Sequence, residues 1–296
     1  NRIPQSLWRM LPLFGGEEKG QAVMRMYLAD MHTHTQISPD SGARLVDMAR
    51  AAAAAGLDEL YVTDHCDLLD GEGRFAPDFD WPAALAQMAQ AWEGLTGRLQ
   101  LRLGLELGSA PFDPAAARAV LTGAGEALDF VLGSLHNWVG AEENIDFYYT
   151  DFSGGLAQCR RALENALDST WALVTDCPDC YDSLAHIVYP LRYMARDGQA
   201  LSLADYEERV RDIFTHVARP DHDLEVNTNR GQDLEVWPQV LGWFRDCGGR
   251  YVTIGSDAHR PQDVAAGIRE GTELVRQAGF AGVTTYVRRR PVIHPF

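Results

Sequence analysis

The chain has 296 residues, 46% of them apolar and 23% charged, with a formal net charge of −16. That acidity argues against general binding to nucleic acid or anionic membranes, since both depend on Lys and Arg meeting phosphate. The single lysine, Lys19, rules out a P-loop, and no run nears 18 uninterrupted apolar residues, so no transmembrane helix is expected.

In chain order, residues 1–24 fit no repeating unit and read as an N-terminal extension. They carry Arg9, Glu17, Glu18 and Lys19 and lack a signal peptide's apolar core, so the expected compartment is the cytoplasm. Residues 25–296 then read as one domain. Short apolar runs at 25–31, 59–64, 99–107, 128–135, 182–187, 223–228 and 251–256 have the character of strands buried on both faces. Between and after them, amphipathic stretches near 43–55, 82–95, 114–126, 155–168, 203–217, 234–246 and 262–278 read as helices. Gly56 supplies a stop for the first, and Ser202 a cap for the fifth. Regular β–α alternation at this length predicts an α/β fold, a distorted (β/α)7 TIM-like barrel. The five cysteines are odd in number and scattered, so no disulfide framework is expected. Cys177 and Cys180, spaced as CxxC without a second such pair, read as loop thiols.

Chemistry collects at the strand ends. The first run leads into His32 and His34, the second into Asp64 and His65, and the third ends at Glu106. His136 follows the fourth, His186 lies in the fifth, Glu225 and Asn227 in the sixth, and Asp257 and His259 follow the seventh. In a parallel barrel these ends share one rim, where active sites are built. His32 and His34 are two apart in extended chain, so both imidazoles face one side and can reach one ion. Imidazole with carboxylate suits Zn2+, Mn2+ or Fe2+ better than Ca2+ or Mg2+. About nine ligands are available where one ion takes about four, enough for two or three divalent ions.

The runs Asp30-Met31-His32-Thr33-His34-Thr35, Thr63-Asp64-His65, Gly104-Leu105-Glu106, Gly133-Ser134-Leu135-His136, Ala185-His186, Glu225-Val226-Asn227-Thr228 and Gly255-Ser256-Asp257-Ala258-His259-Arg260-Pro261 resemble the polymerase and histidinol phosphatase (PHP) superfamily. Within it the likeness is greatest to the monofunctional histidinol-phosphate phosphatases and runs from about residue 26 to the end. The resemblance implies a trinuclear site. One ion would be held by His32, His34, Glu106 and Asp257, a second by Glu106 with His136 and His186, and a third by Asp40, His65 and His259. One departure stands after His186, where similar sequences read Asp-Tyr and this chain has Ile187-Val188-Tyr189.

The resemblance implies hydrolysis of a small-molecule phosphate ester by a metal-activated hydroxide. Arg192, Arg230 and Arg260 are the candidates for binding phosphate, because a guanidinium fork matches two of its oxygens. Asp64 and His259 are the candidates for handling the proton. L-histidinol phosphate is the substrate that the resemblance implies. The rival readings are another small phosphate, a nucleotide or cyclic phosphodiester, and, further off, a polymerase-associated nucleic-acid processing domain. Serine hydrolysis is unsupported, since Gly133-Ser134-Leu135 lacks a nucleophile elbow's second glycine.

Overall fold

The computed structural model describes residues 25–95, 97–219 and 222–296; the extension expected at 1–24 lies outside them. Each strand run contributes to one parallel sheet. Its members are β1 (Ala29–Asp30), β2 (Glu59–Val62), β3 (His65–Asp67), β4 (Gln100–Gly108), β5 (Phe130–Ser134), β6 (Ser183–Leu184), β7 (Asp223–Asn227) and β8 (Tyr251–Gly255). The order is β1-β2-β4-β5-β6-β7-β8. β3 prolongs the position of β2: β2 pairs with the first half of β4, and β3 pairs with the second, His65 opposite Glu106.

The seven positions close into a barrel through backbone just past β1. Met31 N–H donates to the Ile254 carbonyl and His34 N–H to that of Ala258, while Asp257 N–H donates to that of His32. On the other side, Thr63 N–H donates to the Thr33 carbonyl. The expected seven-strand barrel is therefore what forms, although only two of the seven residues read as its first strand form a regular ladder.

The helices are α1 (Leu45–Ala55), α2 (Trp81–Gly94), α3 (Pro114–Thr122), α4 (Leu156–Asp176), α5 (Tyr189–Arg196), α6 (Glu207–Ala218), α7 (Trp237–Asp246) and α8 (Ile268–Gln277). In α1, Leu45, Met48, Ala49 and Ala52 form the buried stripe that helical spacing requires. Gly56 ends it at φ 79°, its N–H reaching the Ala52 and Ala53 carbonyls. Asp80 and Asp113 accept first-turn N–H groups and cap α2 and α3, each with a proline in the first turn. Ser202 caps a short 3-10 turn (Leu203–Tyr206) that precedes α6. Cys177 and Cys180 lie, as expected, in the connection past α4, where both thiols are free and buried.

The chain continues past α8 into an antiparallel hairpin, β9 (Gly282–Val287) and β10 (Arg290–Pro295). Tyr286 packs with Ala29, Met31, Tyr61, Phe130, Leu132 and Ala185, so the hairpin closes the N-terminal mouth of the barrel. The opposite mouth is left for the polar strand ends. No described helix is long and apolar enough to cross a membrane.

Candidate metal centre

Glu106, near the end of β4, is fully buried and forms the hub. Its Oε2 lies 3.1 Å from His32 Nε2, 3.5 Å from His34 Nε2 and 3.1 Å from His65 Nδ1. Its Oε1 lies 2.7 Å from His186 Nε2 and 3.1 Å from His136 Nε2, and those two nitrogens are 3.4 Å apart. Five imidazoles thus converge on one carboxylate.

Asp257 forms the second focus. Its Oδ1 is 3.7 Å from His32 Nε2, 3.5 Å from His34 Nε2 and 3.7 Å from His259 Nδ1. It sits at φ 61°, a left-handed conformation uncommon for a residue with a Cβ and one that collects at functional sites. Asp40, from the loop after His34, is half exposed and places Oδ2 2.9 Å from His259 Nε2 and 3.6 Å from His65 Nε2. All nine expected ligands are in one cluster. Donor atoms closer than 4.8 Å to one another form overlapping groups: His32–Glu106–His186, His65–Glu106–His136, His32–His34–Asp257 and His34–His65–His259.

Protons alone do not balance this cluster. Burial would raise Glu106, but His32, His65 and His136 hold it well below the ordinary carboxylate range. Burial likewise opposes the shift at Asp257, where His32, His34, His259 and Arg192 prevail and keep it charged. His34 behaves differently: burial, then His259 and His65, push its imidazole down to about 3. Its Nε2 is buried and has no hydrogen-bond partner. His65 Nδ1 also makes no hydrogen bond, being near Glu106 without the right geometry. Orphaned nitrogens facing buried carboxylates are costly unless a cation fills the space, so the donor set fits divalent metal.

Residues outside the expected ligand set orient it. Glu225 Oε1 lies 2.6 Å from His32 Nδ1, and its Oε2 accepts the His186 backbone N–H. Asp67 Oδ1 lies 2.8 Å from His136 Nδ1. A carboxylate on Nδ1 leaves Nε2 to face the ion, as in many metal sites. Glu225 is visible in sequence as a strand-end acid. Asp67 is signalled only by its place two residues after His65, which puts both on one face of β3.

Asp64 faces away from this chemistry: its carboxylate accepts from Thr35 N–H, the Thr35 and Ser38 hydroxyls and the Gln87 amide. Arg192, on α5, is partly buried and donates to Asp233, Asn227 and Asp257, the last at 3.3 Å. Arg230 and Arg260 are exposed on the loops after β7 and β8, and Arg230 donates to Asn229. Helix α5 went unread in the sequence. It begins with Tyr189, whose ring lies 4.9 Å from that of His136 and 5.0 Å from that of His186, and Val188 before it is buried.

Known proteins resemble this arrangement. The histidinol-phosphatase of Lactococcus lactis subsp. lactis (strain IL1403) is 26% identical over 266 residues, covering 87% of this chain and 93% of that protein. A probable histidinol-phosphatase of Deinococcus radiodurans is 28% identical over 271 residues, covering 87% and 96%. The crystal structure of the L. lactis histidinol phosphate phosphatase, in complex with zinc, L-histidinol and phosphate, superposes with a TM-score of 0.77 at 23% identity, covering 90% of this chain and all of that one. The family model for the PHP domain matches residues 30–229, and the chain belongs to that family.

Proposed function

We propose that this protein is a metal-dependent phosphomonoester hydrolase that converts L-histidinol phosphate to L-histidinol and phosphate in histidine biosynthesis, in the cytoplasm. The observation that carries the reading is the convergence of five imidazoles on Glu106 at one rim of the barrel. The near full-length likeness to histidinol-phosphatases supports the substrate.

His32, His34, Glu106 and Asp257 would hold one ion, Glu106 with His136 and His186 a second, and Asp40, His65 and His259 a third. Zinc is favoured because the L. lactis structure contains it, and manganese and iron share the same ligand preferences. Bound there, the ions neutralise phosphate charge and lower the pKa of a water towards about 7. The chain's own groups do the rest. Arg192, 3.3 Å from Asp257, and the exposed Arg230 and Arg260 on the loops after β7 and β8 would bind the phosphate. His259, with Nε2 2.9 Å from Asp40 and Nδ1 3.0 Å from the Asp257 carbonyl, would have no nitrogen free for the leaving-group proton while it holds the third ion, so we assign it to the metal. Asp64 is already saturated with donors, so we assign it a positioning role.

Turnover of L-histidinol phosphate by the zinc-loaded protein, compared with a panel of nucleotides and cyclic phosphodiesters, tests the reading. Preference for L-histidinol phosphate is expected. Negligible turnover of it beside brisk release from another ester would hand the site to that ester.

A further inference from the structure

At His32 and His136 the neighbour of Nδ1 is a carboxylate, Glu225 or Asp67, which makes that nitrogen a donor. At His34 the neighbour is a hydroxyl: Ser38 Oγ lies 3.1 Å from Nδ1. A hydroxyl can donate or accept, so the tautomer of His34 depends on where the single Ser38 proton goes.

Three groups compete for Ser38 Oγ. Asp64 Oδ1 lies 2.8 Å away, the backbone N–H of His65 is at 3.0 Å, and His34 Nδ1 is the third. The His65 N–H can only donate. Asp64 accepts from three other donors, Thr35 N–H, the Thr35 hydroxyl and the Gln87 amide, and so faces Ser38 as an acceptor. The hydroxyl proton therefore goes to Asp64. Ser38 keeps two lone pairs, one taken by His65 N–H and the other left for His34, which must present Nδ1–H. The opposite tautomer would set two lone pairs against each other inside a buried site, at the cost of an unmade hydrogen bond.

We propose that Ser38, held by Asp64, is the positioning residue that fixes His34 as its Nδ1–H tautomer and so delivers the Nε2 lone pair to the metal centre. That Nε2 is the orphaned atom 3.5 Å from both Glu106 and Asp257. The same hydroxyl ties the loop after His34 to the start of β3, joining the two segments that bring His34 and His65 together. The inference rests on the metal-centre reading, and its test separates the two.

The decisive measurement is a long-range 1H–15N correlation spectrum of the wild-type protein labelled at histidine nitrogen, recorded with zinc and after chelation. Nδ1 of His34 is expected to be protonated in both; a proton on Nε2 in the chelated protein would overturn the proposal. In chelator competition, Ser38→Ala should hold zinc about 10- to 100-fold more weakly, the loss usual for an outer partner, and Ser38→Thr should restore it. Wild-type zinc retention in Ser38→Ala would also overturn it. A wild-type protein that takes up no zinc would instead defeat the metal reading, while its spectrum still reports the tautomer. That spectrum needs no variant to fold.

Discussion

The two mouths of the barrel bury acids in comparable numbers and treat them in opposite ways. At the C-terminal rim, Glu106 and Asp257 are ringed by imidazoles and, at Asp257, by Arg192, and they remain charged despite burial. At the N-terminal mouth, Asp223 is buried with one oxygen taking the Tyr286 hydroxyl proton and the other without a partner. Burial pushes it well above the ordinary carboxylate range, with Asp182 adding to the effect. Asp182, whose cation is Arg289, is raised by burial to about 6. Burial raises both sets, and the number of positive or metal-seeking neighbours per carboxylate decides the outcome. One mouth stores anionic charge for cations and phosphate chemistry; the other is a plug that works best when its acids are neutral.

The largest effects should come from breaking the rim. His32→Ala or Asp257→Ala removes a central side chain of the cluster, and activity should fall by more than the roughly hundredfold typical of an outer partner. Because the plug packs at the opposite end, circular dichroism should show the fold retained. Near-wild-type turnover in either variant would mean the cluster is not the reaction site.

A smaller effect is expected one layer out. Asp67→Asn and Glu225→Gln keep the volume but remove the charge that orients His136 and His32. Each should weaken zinc binding by about 10- to 100-fold in a chelator titration. Unchanged affinity in both would show that the rim needs no such orientation.

Much of this contrast is legible in sequence, and unevenly so. The rim announces itself because strand ends must turn their polar residues towards one mouth, which made His32, Glu106, His136 and Asp257 readable from spacing alone. The plug does not. The 282–287 segment has the β-branched and aromatic residues of a strand, yet its partner contains Pro291 and Pro295, and nothing local says that the pair will cap a barrel. Arg288 and Arg289 form its turn at φ 50° and 59°, where Asn-Gly would be the usual choice. Tertiary contacts hold them there: both backbone N–H groups reach Asp129, and the Arg289 guanidinium reaches Asp182 and the Asp179 carbonyl. Helix α5 was hidden for a related reason. It starts at Tyr189-Pro190, directly after the 182–187 run that has the character of a strand, and spans only eight residues.

The plug offers the subtlest test. An acid raised in the folded state favours its protonated form, so Asp182 contributes stability that is complete below its ordinary value of 3.8 and is lost as pH rises through about 6. Moving an acid between those values is worth on the order of 3 kcal/mol. Asp182→Asn cannot titrate and keeps an oxygen for the Val131 N–H, while giving up the ion pair with Arg289. Relative to wild type, this variant should therefore gain ground from pH 4.5 to about 6 and level off above it, whatever its offset at the lower end. Urea unfolding of both proteins across that range reads the effect of Asp182 together with the Asp223 that it raises, since titration of the rim histidines is common to both and cancels in the difference. A difference independent of pH would show that Arg289 neutralises Asp182 after all, and that the two mouths manage their acids by the same rule.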